Sequence, residues 1–242
     1  MIKLNQTALP NLDGFFDSFS ATKIKANELA YGYNFPFLLF WCQYIDDKLT
    51  AVICKFEQSV ILVAKKAADL NEIKDFLFAV GFSSLEGEYE LICHLVPNNI
   101  KPYNVVYKKT AGDFAPCPTP NIKAVFDTLY SKESRHIKPT DFEAFYADLS
   151  HRIRHGTAAA VLVNDCATAI ASHITKENAV ISGVAVIPNN RGKGLGRAAL
   201  KSLEDGLAWR NIFAAVDGGV LEFYKKAGYT AKYKIAVYEY EE

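Results

Sequence analysis

Three glycines fall at every second position in Arg191-Gly192-Lys193-Gly194-Leu195-Gly196-Arg197, between the apolar run Ala179 to Ile187 and a stretch where Leu195, Ala199, Leu200, Leu203 and Leu207 recur at helical spacing. A strand, a turn and a helix are thereby set in order. Glycines there leave successive backbone N–H groups unshielded at the mouth of a helix, where partial positive charge collects and an anion is stabilised. Arg191, Lys193 and Arg197 add formal charge that a purely structural turn does not require. The segment reads as a phosphate cradle.

Three phosphate-binding classes compete for it. The Walker pattern fails because Lys193 is followed by Gly194 and not by Ser or Thr. The dinucleotide pattern comes closer, since Asp217 follows a strand about 20 residues on, where a ribose-binding acid would sit. Arg197, however, stands at the third glycine position, and too little chain remains after Asp217 for further parallel strands.

The surrounding pattern gives the topology. Thr140-x-x-Glu143 has the form of a capping box, and Phe142, Phe145, Tyr146, Leu149 and Ile153 continue at helical spacing to Gly156. Ala158 to Val163, Ala167 to Thr175 and Ala179 to Ile187 follow as an antiparallel meander turned at Asn164-Asp165 and Lys176-Glu177-Asn178. After the glycine loop and its helix come a strand (Ile212 to Val216), a helix (Gly219 to Ala227) and a tyrosine-rich strand (Thr230 to Tyr240). Upstream, Lys109 to Pro120 holds three prolines and a glycine, so neither helix nor ladder runs through it. The expected domains are therefore 1–115 and 121–242. The first, smaller and of α+β character, reads as strands at Phe37 to Tyr44, Leu49 to Val63 (turned near Glu57-Gln58) and Glu88 to Val96, with a helix at Asp69 to Phe78. Phe76 to Phe82 echoes Phe223 to Tyr229, which suggests that the first half is a decayed copy of the second.

The stretch Val184 to Arg197 resembles the strand, proline and (Gln/Arg)-x-x-Gly-x-(Gly/Ala) motif of the GNAT superfamily of acyl-CoA-dependent N-acyltransferases, and Phe223-Tyr224-Lys225-Lys226-Ala227-Gly228-Tyr229 is similar to the family's Phe-Tyr-x-x-x-Gly-Phe helix end. The resemblance covers roughly residues 137–242. It implies a mixed, mostly antiparallel sheet flanked by helices. It also implies acetyl-CoA or another acyl-CoA as co-substrate, its pyrophosphate on Arg191, Gly192, Lys193, Gly194, Leu195, Gly196 and Arg197, and its pantetheine arm along Val184, Ala185 and Val186. Asp217 stands where the family often has a cofactor-contacting Asn, and as a helix N-cap it has an equally good reading. Tyr224 takes the place of the family's tyrosine acid, and the Val186 N–H that of the oxyanion donor. Gly183 is compatible with a bulge in that strand. His173 and Glu177 lie nearby but read as a surface histidine and a turn glutamate, so no general base is assigned.

Lys plus Arg equals Asp plus Glu at 27 each. No overall field then exists to hold nucleic acid or an anionic membrane. Every long apolar run is broken by charge, and the N-terminus lacks the pattern of a secretory leader, so a soluble cytoplasmic protein is expected. The five cysteines, Cys42, Cys54, Cys93, Cys117 and Cys166, lack metal-ligand spacing and read as core hydrophobes, and no metal is expected. In Cys93-His94, strand alternation would point the two side chains to opposite faces. The expected partner is a small-molecule or peptide amine, with a homodimer as a further option for the tyrosine-rich ending. A non-catalytic acyl-CoA-binding or regulatory module is the alternative function.

Overall fold

The computed structural model describes residues 1–96, 98–111, 115, 117, 120–131 and 141–240. In chain order the elements are β1 (Ile2–Asn5), α1 (Ser18–Tyr31), β2 (Leu38–Ile45), β3 (Lys48–Phe56), β4 (Ser59–Ala64), α2 (Leu70–Val80), β5 (Ser84–Glu88), α3 (Tyr89–Leu95) and β6 (Ile100–Lys109). There follow α4 (Ile122–Leu129), α5 (Phe142–Arg154), β7 (Ala159–Val163), β8 (Ala167–Ile174), β9 (Asn178–Val186), a 3-10 turn (Pro188–Asn190), α6 (Leu195–Asp205), β10 (Asn211–Val216), α7 (Leu221–Lys226) and β11 (Thr230–Glu239). The fold is mixed α+β.

Contacts gather these elements into two compact units that do not follow a linear cut. The first unit takes Met1–Val106, Ala215–Phe223 and Ala231–Glu242, and the second takes Tyr107–Ala214 and Tyr224–Thr230. Each unit thus includes chain from both sides of the expected 115/121 boundary. That boundary falls in a segment of which residues 112–114, 116, 118 and 119 lie outside the described residues.

In the first unit the strand order is β1-β2-β3-β4-β5-β11. Asp46 and Asp47, both left-handed (φ 48° and 58°), turn β2 into β3, a conformation that Asp and Asn tolerate better than most residues. β4 and β5 run parallel with α2 as their crossover, and β11 closes on β5 antiparallel, Ile235 opposite Glu88 and Glu239 opposite Ser84. Alternation gives the sheet two buried faces. Ile53, Leu62 and Leu85 pack with Ile73, Leu77, Ile92 and Leu95 of α2 and α3. Val52, Cys54, Ile61 and Val63 pack with Ile24 of α1.

In the second unit β7, β8 and β9 form the expected meander, with Asn164 and Asp165 again left-handed at the tip (φ 50° and 51°). α4 and α5 cover it through Val125, Leu129 and Leu149 against Ala160 and Ile170. α6 packs on β7, β8 and β9. Parallel pairing of β9 with β10 runs only from Asn178 opposite Asn211 to Ile181 opposite Ala214. Immediately beyond, the β8 register slips at Gly183, where a Cβ would come within 3.0 Å of Leu129 Cδ2. The close approach favours glycine, since a Cβ here would make the Leu129 side chain give way.

Several expectations are corrected. Glu88 to Val96 is not a strand: β5 ends at Glu88 and α3 follows at once, so Cys93 and His94 are neighbours on a helix and not on opposite strand faces. Thr140 lies outside the described residues, and Asp141 caps α5 by accepting from the Ala144 N–H at 3.0 Å. The Phe76 to Phe82 echo matches the end of α2 with the end of α7. The order β-β-β-α-β-α-β, which recurs as β2 to β6 and as β7 to β11, instead sets α2 beside α6 and α3 beside α7.

Candidate functional site

The glycine loop lies at the surface of the second unit. Arg191, Gly192, Lys193 and Gly194 are all exposed, and Gly192 and Gly194 hold left-handed backbone (φ 77° and 78°) with no atom within 4 Å of where a Cβ would stand. Gly194 is the N-cap of α6, and no side chain caps that helix. Among the described residues, none of the backbone N–H groups from Gly192 to Arg197 has an intramolecular acceptor. A run of unsatisfied donors at a helix mouth is what an anion requires.

The cationic side chains frame this loop. Arg191 donates from Nε to the Val186 carbonyl at 3.1 Å, Lys193 from Nζ to the Asn189 carbonyl at 3.1 Å, and Arg197 to the Lys226 carbonyl. All three remain exposed. Their positive charge surrounds the open backbone donors of the loop.

β9 leads into the loop with one edge open. The Ile187 N–H donates to the Cys166 carbonyl at 2.9 Å, toward β8. Backbone polar groups of a strand alternate in direction, so the N–H groups of Val186 and Val184 point to the other edge, where pairing with β10 has already ended at Ile181. Burial falls off in the same place: Ala179, Val180 and Ile181 are buried, Ser182 is exposed, and Gly183 to Val186 are half-buried. The sequence-expected residues Val184, Ala185, Val186 and Arg191 to Arg197 are therefore continuous in space.

Tyr224, the expected acid, is buried at 6 % exposure beneath a polar cluster that the sequence reading missed. Glu204 of α6, itself 5 % exposed, accepts from Tyr229 Oη at 2.8 Å and from Lys108 Nζ at 2.7 Å. Lys108 also donates to the Ala227 carbonyl at 2.9 Å, and the Tyr224 and Tyr229 rings meet edge-on at 5.2 Å. Burial, then the Glu204 charge, pushes the Tyr224 phenol well above its ordinary pKa. Tyr229 moves the same way for the same causes. Sequence spacing offers no signal for this cluster, because the cation that allows Glu204 to be buried stands far away on β6.

Asp217 accepts the N–H groups of Gly219 (2.8 Å) and Val220 (3.2 Å) in the turn that precedes α7. His173 Nδ1 lies 2.7 Å from Ser172 Oγ, and Glu177 is exposed at its turn. Among the described residues no group of His, Cys, Asp and Glu could hold a metal, and no helix is long and apolar enough to cross a membrane.

Comparison with known proteins bears on the fold. Residues 123–229 match the family described as Acetyltransferase (GNAT) family, and this part of the chain carries a GNAT-fold domain. A GCN5-related N-acetyltransferase from Sphaerobacter thermophilus is 14 % identical over 90 % of this chain and 85 % of its own, with a TM-score of 0.56. A tandem GNAT protein from the clavulanic acid biosynthesis pathway is 12 % identical over 99 % and 98 %, with a TM-score of 0.53. A GCN5-related N-acetyltransferase from Kribbella flavida is 15 % identical over 79 % and 87 %, with a TM-score of 0.50. At such identities the likeness is one of fold. No curated protein matches the chain.

Proposed function

We propose that the second unit binds acetyl-CoA and transfers its acetyl group to a primary amine of a small molecule or peptide. The observation that carries this reading is the uncapped mouth of α6, with the N–H groups of residues 192–197 unsatisfied and both positive-φ glycines facing open space. The diphosphate sits there, flanked by Arg191, Lys193 and Arg197, and the pantetheine arm runs along Val184, Ala185 and Val186 as an added strand. In the transfer the neutral amine nitrogen attacks the thioester carbonyl and gives up a proton to water, the C–S bond breaks, and the sulfur leaves as thiolate and gains a proton. The Val186 N–H stabilises the carbonyl oxygen as it gains charge. Tyr224 stays a phenol across the working range because burial and Glu204 raise its pKa, so it acts as the donor to the sulfur.

The first unit is read as a copy of the same fold that has lost its glycine loop, supported by the recurring element order. One CoA per chain is then expected by calorimetry of the full-length protein, together with release of free thiol from acetyl-CoA that depends on added amine. Absence of measurable CoA affinity would sink the proposal. A non-catalytic acyl-CoA-binding module is the second reading, favoured by the depth at which Tyr224 is buried. Tight CoA binding with only amine-independent hydrolysis across a panel of amines would select it.

A further inference from the structure

The first unit has a cleft of about 800 Å³ that the reading above does not use. Parallel pairing of β4 with β5 stops at Ile61 opposite Glu86, and Gly87 still touches β4, where a Cβ would come within 2.7 Å of the Leu62 carbonyl oxygen. Past this point the cleft opens. Lys65 and Lys66 line it from the β4–α2 turn, and Glu88 and Glu90 from the start of α3. Phe16, Leu70 and Leu91 supply its apolar surface.

These charges are not spent on one another. Among the described residues none of the four forms a salt bridge. The Lys65 ammonium rests 4.9 Å from the centre of the Phe15 ring, on a face that attracts a cation without neutralising it. Elsewhere in the lining, burial and then the charges of Glu90 and Asp17 push the Glu88 carboxyl above its usual range, so a cation placed there would relieve the crowding. Asp17 is buried, and its Oδ2 lacks a hydrogen-bond partner.

The same elements rule out a diphosphate in this cleft. Asp69 already takes the Asn71 and Glu72 N–H groups, each at 3.0 Å, so α2 has no free mouth and presents negative charge instead. Two ammonium groups and two carboxylates balance one another in the lining. A ligand of zero net charge with one pole of each sign matches it, and a bare acid or a bare amine leaves one pair of charges uncompensated.

We propose that this cleft binds a small zwitterion of the amino-acid class, with its carboxylate at Lys65 and Lys66, its ammonium at Glu88 and Glu90, and its apolar chain along Phe16, Leu70 and Leu91. The test is calorimetric titration of the full-length protein with 6-aminohexanoate, and with hexanoate and hexylamine as single-pole comparators. 6-Aminohexanoate should bind about tenfold or more tightly than either comparator. Lys65→Ala/Lys66→Ala and Glu88→Gln/Glu90→Gln should each weaken it by a similar factor, with thermal melts matching the wild type to exclude misfolding. The proposal is overturned if 6-aminohexanoate shows no binding, if a comparator binds equally well, or if folded variants bind it unchanged. CoA affinity, carried by the other unit, is measured alongside, so failure here leaves the acetyl-CoA reading standing and the reverse also holds.

Discussion

The turn from β4 into α2 and the turn from β9 into α6 hold the same place in a recurring order of elements, yet they treat the start of a helix in opposite ways. At the first, Asp69 folds its carboxylate onto the N–H groups of Asn71 and Glu72, and the Gln43 side chain bonds both the N–H and the carbonyl of Asp69. At the second, Gly194 offers no side chain, and the donors stay open. Both mouths carry the same helix dipole. What makes one a site and the other a closed corner is whether the chain satisfies its own donors first.

Cutting the two units apart along the linear sequence should have the largest effect. A fragment 1–115 lacks β11, the neighbour of β5, and a fragment 121–242 lacks Lys108, which leaves Glu204 buried without its cation. Removing one partner of such a pair costs about 3–5 kcal/mol, a large share of a domain's stability, so circular dichroism and thermal melts should find neither fragment cooperatively folded. A fragment 121–242 that melts sharply and binds CoA would break the picture of interleaved units. Next comes Gly194→Asp, which gives the second mouth a carboxylate like that of the first. CoA affinity should fall by more than about a hundredfold, from repulsion and from the strain of a side chain at φ 78°. Unchanged affinity would detach the diphosphate from this helix.

Tyr224→Phe sharpens the contrast between the two short helices, since α3 buries Leu91, Ile92 and Leu95 where α7 buries a phenol. Amine-dependent turnover should drop about a hundredfold, at the low end for a proton donor, with CoA affinity retained. Asp69→Ala should cost about 1 kcal/mol in urea unfolding, as loss of an N-cap does, without creating a second CoA site. The smallest effect concerns Glu72 in the first turn of α2. Burial raises its pKa, but hydrogen bonds from the Gln43 amide, the terminal ammonium and the Ile2 N–H outweigh this and lower it. A lowered carboxyl pKa gives stability that is present above the unfolded value near 4.5 and is lost as pH falls through the folded value. Glu72→Gln should therefore flatten the acid limb of a stability-versus-pH curve, and an unaltered limb would assign it to other carboxylates.

The legible parts were those whose signals are local. Asn164-Asp165 marked a hairpin, alternating glycines marked the loop, and Ala199, Leu200 and Leu203 marked the buried face of α6. Glu88 to Val96 misled because a seven-residue helix shows too few turns for its period to stand out, and Leu91, Cys93 and Leu95 alternate as a strand would. α1 was missed because its buried residues extend around most of its circumference, which erases the amphipathic stripe. α4 carried a usable sign in Asn121, which accepts from Lys123 and Ala124, followed by Ile122, Val125 and Leu129 at helical spacing. Glu204 and the destination of β11 depend on partners distant in sequence, and no window around them contains that information.

The membership of residues 231–242 in the first unit has a consequence for how the protein is made. During translation β5 emerges early, and it must wait for β11 while the ribosome adds the intervening chain at about 5–20 residues per second. Over that interval of on the order of ten seconds the nascent sheet keeps a bare border, open to pairing with any other extended polypeptide. Slow synthesis or a premature stop before Thr230 therefore threatens solubility of the part encoded first, even though every residue of its helices is already in place.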